Sequence, residues 1–157
     1  MTVLLDHTAH QTLLDNRLIL VVDDEEPIRR LLAYLLQSHG YTVDGAADAR
    51  EARQKLAAQP YALMLCDVNM PGESGMDLVR HALTAHPHTA AIMVTGLDSS
   101  VLANAALDVG AFGYIVKPFE SNEVLIDVAN ALRRRRLELE NRHHRENLED
   151  IVRTRTL

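Results

Sequence analysis

The 157-residue chain has no tryptophan, one cysteine and only 4% aromatic residues. A single cysteine, Cys66, excludes an internal disulfide and a cysteine-based zinc site, and it fits a reducing, cytoplasmic setting. No apolar run approaches the roughly 18–20 residues that a membrane span needs, so no membrane association is expected. Met1 to Asp15 carry no Lys or Arg, so the basic start of a secretion signal is missing. Glycine and proline are absent from residues 120–157, and nothing there interrupts a helix. What is present is ordinary for one globular domain: 47% hydrophobic and 24% charged residues.

Charge is unevenly placed within the net −6 of the chain. Residues 1–132 hold 8 basic and 17 acidic side chains, a net of −9. Residues 133–157 hold 8 arginines and 5 acids, a net of +3. An acidic body repels phosphate backbones, so no nucleic-acid partner is expected, whereas cations are attracted.

Residues 1–16 show little periodicity and read as an extension with one or two helical turns. Leu18 to Val22 is a run of branched apolar residues, suited to a strand buried on both faces. Pro27 fits the first turn of a helix, Ile28, Leu31, Leu32, Leu35 and Leu36 recur at helical spacing, and Gly40 can end it. The alternation continues with a strand at Tyr41–Val43, a helix capped by Asp48, a strand at Tyr61–Cys66 and a helix over Ser74–Ala85. A strand at Ala90–Thr95, a helix from Asp98 or Ser99 to about Val109, a strand within 110–116 and a helix from Glu120 complete it. Five strands alternating with five helices predict an α/β fold: a five-stranded parallel sheet in the flavodoxin-like order 2-1-3-4-5, with helices on both faces.

In that order the strand carboxyl ends gather Asp23, Asp24, Asp67, Thr95 and Lys117 at one edge, where ligands of such sheets bind. Each residue alone has an ordinary explanation: a cap, a strand end or a surface lysine. Together they make a site. Three converging carboxylates repel unless a hard cation such as Mg²⁺ joins them, with Mn²⁺ as a substitute. A carboxylate can accept a phosphoryl group, and a cation with Lys117 and the Thr95 hydroxyl could offset charge on the phosphoryl oxygens. Spacing does not choose the acceptor; Asp67 is favoured because it stands singly at the end of a central strand.

Val21-Val22-Asp23-Asp24-Glu25, Asp67-Val68-Asn69-Met70-Pro71-Gly72 with Gly75, Val94-Thr95-Gly96 and Tyr114 to Phe119 resemble the motifs of receiver domains of two-component response regulators. The resemblance covers residues 17–132. It implies that Asp67 takes a phosphoryl group from a sensor histidine kinase or phosphotransfer protein. It also implies that Asp24, Asp67 and the Asn69 carbonyl bind the metal directly, with Asp23 acting through water. Lys117 would contact the phosphoryl group, its bond to Pro118 would be cis, and Thr95 and Tyr114 would form the switch pair. Asn69 and Leu97 would tune the phosphoryl lifetime. The readout face would be the fourth predicted helix, fifth strand and fifth helix, about residues 98–132. The module would be a phosphoacceptor and not a turnover enzyme. A metal-dependent phosphohydrolase would want a second carboxylate two residues after Asp67, where Asn69 stands, and a flavin protein would want a phosphate-binding loop after the first strand.

Beyond Leu132 the last helix is expected to continue through 133–157 as a linker. Steps of four and three select Leu137, Asn141, His144, Leu148, Ile151 and Arg155, a weak two-stranded coiled-coil seam. The functional reading is a dimerising helix; the other is a solvated linker. A homodimer is expected through this helix or through the 98–132 face. The four arginines 133–136 wrap all sides of the helix. The tail resembles linkers that lead to output domains, including cyclic-di-GMP phosphodiesterases of the HD-GYP kind, and it stops uncapped at Leu157, as part of a larger regulator would. The alternative is a stand-alone receiver that docks on a partner. Cys66, facing away from the Asp67 side of its strand, reads as buried filler, and the scattered histidines do not read as a metal site.

Overall fold

The computed structural model describes the backbone of residues 2–96 and 100–156 and the side chains of 8–96 and 101–152. The elements run α1 (Thr2–Leu14), β1 (Leu18–Val22), α2 (Glu26–Gln37), β2 (Thr42–Ala46), α3 (Ala49–Ala58) and β3 (Leu63–Asp67). They continue with α4 (Gly75–Ala85), β4 (Ala90–Thr95), α5 (Ser100–Asp108), β5 (Gly113–Val116) and α6 (Ser121–Thr156). All strand pairs are parallel, in the order β2-β1-β3-β4-β5. This is the predicted sheet, with one helix more than predicted.

The apolar strands explain the layering. Every residue of β3 and β4 is buried, as central strands covered on both faces require. Side chains alternate between two cores. Leu20, Val22, Met64, Cys66 and Met93 pack with Leu78, Val79 and Ala106 on one face. Ile19, Val21, Leu63, Leu65, Ile92 and Val94 pack with Leu32, Leu36, Val124 and Val128 on the other. Cys66 belongs wholly to the first core, and burial pushes its thiol pKa up, as buried filler should. The caps are local. Asp48 accepts from the Glu51 N–H, and Ser74 accepts from the Asp77 N–H. The Gly40 φ of 87° makes the turn after α2, a conformation that suits glycine.

Three readings need correction. Residues 1–16 hold more helix than the one or two turns expected, since Thr2–Leu14 is a 13-residue helix. Its support comes from α6, more than a hundred residues away, so local periodicity gives no sign of it. Arg136 Nη1 meets Asp15 Oδ1 at 3.0 Å, the His10 and His143 rings stack at 3.8 Å, and Arg135 Nη1 donates to the Leu13 carbonyl at 3.0 Å. The linker is likewise not solvated all round: Arg135 and Leu139 are buried. The second strand also lies later than Tyr41–Val43, at Thr42–Ala46, because Tyr41 N–H still donates to Leu36 and closes the end of α2. The predicted cap residues Asp98 and Ser99 lie outside the described residues.

α6 is 36 residues long, about 54 Å at 1.5 Å per residue. Arg135, Leu139 and His143 share one stripe of it, turned toward α1. Leu137, two positions from Leu139, lies about 160° round the helix and is exposed. Leu139→Ala should therefore lower stability to urea by about 2 kcal/mol. Leu137→Ala in dilute solution should change it by less than about 0.5 kcal/mol. Equal losses would mean that the two faces are not distinct.

Candidate functional site

The strands end where their apolar runs give way to polar residues, and β1, β3, β4 and β5 end side by side. Backbone bonds carry the ladder past the strand ends: Asp23 N–H to Ala46, Val68 N–H to Val94 and Lys117 N–H to Thr95, the last at 2.7 Å. Asp23, Asp67, Thr95 and Lys117 are thereby fixed to a rigid edge. Asp23, Asp67 and Thr95 are buried, and Asp24 is exposed.

One carboxylate oxygen from each of Asp23, Asp24 and Asp67 lies within 4.8 Å of the others. Lys117 Nζ donates to Asp23 Oδ2 at 2.8 Å and lies 3.5 Å from Asp67 Oδ2. Asp23 Oδ1 accepts from the Glu25 N–H at 2.9 Å, and Asp67 Oδ1 accepts from the Asn69 N–H at 3.2 Å. Each buried carboxylate is thus oriented by its own loop and by one shared cation.

That cation does not balance the site. Burial pushes Asp67 above the usual carboxylate range; the Lys117 charge pulls down without cancelling the rise, and Asp23 adds to it. For Lys117, burial acts downward, but the hydrogen bond it donates to Asp23 and the charges of Asp23 and Asp67 outweigh it and hold the ammonium protonated. The donor set gathered here is all carboxylate oxygen, the preference of a hard divalent ion such as Mg²⁺. The exposed Asp24 leaves a side open to solvent for water ligands.

The other predicted positions fall as follows. Thr95 sits at the end of β4, beside Val116 in the β5 register. Tyr114 is 40% exposed on the edge strand and lines a cleft with Asp127 and Asn130. The Lys117–Pro118 peptide bond is cis. Leu97 lies outside the described residues. Leu137, Asn141, His144, Leu148 and Ile151 are all exposed.

Several supports were not foreseen. Arg29 Nη1 donates to the Asp23 carbonyl at 2.6 Å, pinning the first acidic loop from α2. Arg53 pairs with Glu73 and ties the loop after Asp67 to α3. The spacing of these residues carries no signal of either contact. Gly75 has a reason that the motif alone does not state. A Cβ there would stand 1.9 Å from the Asp67 carbonyl oxygen and 2.9 Å from Val68 Cα. Backbone meets backbone, so nothing flexible can give way.

The description of response regulator receiver domains matches residues 19–129 of the chain. The chain belongs to the receiver-domain family of two-component response regulators. It is 40% identical over 121 residues to the response regulator protein PilR of Pseudomonas aeruginosa, covering 77% of this chain and 27% of PilR. It is 36% identical over 116 residues to the aerobic respiration control protein ArcA of Escherichia coli, covering 74% of this chain and 48% of ArcA. The chain thus spans half or less of these relatives. Among solved structures it resembles a CheY-like receiver domain protein from Methanospirillum hungatei, at TM-score 0.74 and 31% identity, covering 79% and 99% of the two chains. It also resembles the beryllofluoride-activated NtrC4 receiver domain dimer, at TM-score 0.73 and 31% identity, covering 76% and 98%. Among the described residues no helix is long and apolar enough to cross a membrane.

Gly75→Ala should cost about 2–3 kcal/mol of stability to urea, because the new methyl strikes the Asp67–Val68 backbone. Asp67→Asn tests the charge imbalance. Because folding raises the Asp67 pKa, its ionisation opposes folding at neutral pH, and this penalty fades as pH falls below the folded value. In chelator at pH 7.5, Asp67→Asn should raise Tm, by roughly 2–4 °C for each kcal/mol recovered, and Mg²⁺ should stabilise the parent more than the variant. A lower Tm for Asp67→Asn in chelator would contradict this.

Proposed function

We propose that Asp67 is the phosphoryl acceptor of a signalling switch. The carrying observation is the convergence of Asp23, Asp24 and Asp67 oxygens within 4.8 Å, with Lys117 bridging the two buried ones. An Asp67 carboxylate oxygen attacks the phosphorus of a phosphohistidine on a sensor kinase or phosphotransfer protein. The P–N bond breaks, and the imidazole nitrogen keeps the electron pair and takes up a proton. Mg²⁺, or Mn²⁺ in its place, held by Asp24, Asp67 and the Asn69 carbonyl with Asp23 behind, would supply positive charge for the phosphoryl oxygens. Lys117 lies close enough to shift from Asp67 to a phosphoryl oxygen. Thr95, at the neighbouring strand end, donates its hydroxyl to another. Tyr114, exposed on β5, follows Thr95 by turning inward.

The phosphoryl group brings about −1.5 to −2 charge and new acceptors, so it favours the loop arrangement in which Thr95 and Lys117 reach it. The change is passed through α5, β5 and the first part of α6. Asn69, in place of a second carboxylate, suits a phosphoacceptor more than a turnover enzyme. A lone buried Cys66 suits the cytoplasm.

Two chains join along α6. Leu137, Asn141, His144, Leu148 and Ile151 form an exposed stripe opposite the face that meets α1. In a parallel pair in this register, Glu140 of one helix faces Arg145 of the other, an opposite-charge flank. The helix then leads to an output domain. Relatives such as DctD of Rhizobium meliloti are named transcriptional regulators, and an HD-GYP phosphodiesterase would need the same helical connection. The second reading, a receiver acting by docking alone, draws on the exposed Val101, Leu107 and Ile126 of α5 and α6.

Sedimentation with and without beryllofluoride plus Mg²⁺ tests the acceptor. The parent should change mass or shape, and Asp67→Ala should not. Leu148→Asp should lower the mass if the seam is on α6. An identical beryllofluoride response from Asp67→Ala would overturn the assignment.

A further inference from the structure

At the opposite end of the sheet, below the start of β1, α1 and α6 enclose a cleft of about 450 Å³. Four arginines line it: Arg17 from the segment before β1, and Arg133, Arg135 and Arg136 from α6. One carboxylate, Asp15, lines it with them and is already paired with Arg136. Arg136 also faces Glu140 at 3.6 Å along its own helix. Arg17 lies over the Tyr41 ring, 4.4 Å from its centre, and donates to the Gly40 carbonyl at 3.2 Å, which holds its guanidinium in place. Arg133 is exposed and has no ion pair among the described residues.

Arg135 is the second, independent observation. The residue is 3% exposed, yet among the described residues no carboxylate pairs with it. Nε donates to the His88 carbonyl at 2.6 Å and Nη1 to the Leu13 carbonyl, while Nη2 is buried without an acceptor among the described residues. Burial alone lowers its pKa to about 10. A buried cation without a counter-charge is costly, and an anion in the adjoining cleft would reduce that cost through the low-dielectric wall.

We propose that this cleft is a binding site for a small polyanion, a molecule carrying two or more phosphate or carboxylate groups. Arginine forks match both groups in planar, charge-assisted pairs. The ligand would bridge Arg17, fixed to the sheet, and Arg133, on the helix that leaves it, and so would hold the linker helix against the domain. The site is remote from the carboxylate cluster and does not depend on the phosphoryl reading.

The test is calorimetric titration of the full chain with inorganic pyrophosphate and, separately, with citrate. Both are run in metal-free buffer without chelator, at matched ionic strength, with chloride as the blank. Without Mg²⁺ the bare carboxylates of the acidic site repel both probes. Saturable one-to-one binding is expected for at least one probe, and which of the two binds tells phosphate from carboxylate recognition. Arg133→Gln, an exposed change that leaves the fold intact, should weaken binding roughly tenfold, the worth of one charge-assisted hydrogen bond. Asp15→Asn, which removes the competing carboxylate, should tighten it. No saturable binding of either probe, or equal affinity in Arg133→Gln, would overturn the proposal.

Discussion

Repulsion between three carboxylates governs this structure. Asp23 and Asp67 are buried at adjacent strand ends, and Asp24 closes the group from the solvent side. One ammonium, Lys117, is shared between the two buried members. Burial leaves the Asp67 carboxylate under-compensated even so. A site in that condition gains from any cation that enters, and it responds strongly when the charge on Asp67 changes. That sensitivity is what a receiver needs.

The rest of the receiver body keeps the repelling groups in place. Two apolar cores grip β1, β3 and β4 from both faces, so the strand ends cannot drift apart. Arg29 fixes the loop after β1 through a backbone carbonyl, and Arg53 with Glu73 fixes the loop after β3. Gly75 lets α4 start directly against the Asp67 carbonyl. Each contact orients a carboxylate without neutralising it.

The far end has the opposite character. There arginines crowd together, α1 closes over α6, and one guanidinium is buried on two backbone carbonyls. The long helix α6 therefore has two different sides. One side is seated on the domain through Arg135 and Leu139, and the other presents Leu137, Leu148 and Ile151 to solvent. A helix anchored in this way moves with the domain more closely than an unanchored helix could.

Sequence alone determined the sheet order and the membership of the acidic edge. Branched apolar runs such as Leu18–Val22 and Ala90–Thr95 end in residues that cannot be buried freely, and alternation with helices leaves few topologies. Asp48 and Ser74 show themselves as caps because capping is local. Only the tertiary structure decided that α1 exists as a packed helix, that Arg135 is the buried member of four consecutive arginines, and that Gly75 is forced by the Asp67 backbone. Those facts arise between residues far apart in the chain or from a clash of main chains. Periodicity and composition report the face a segment prefers, and they are silent about which distant segment will cover it.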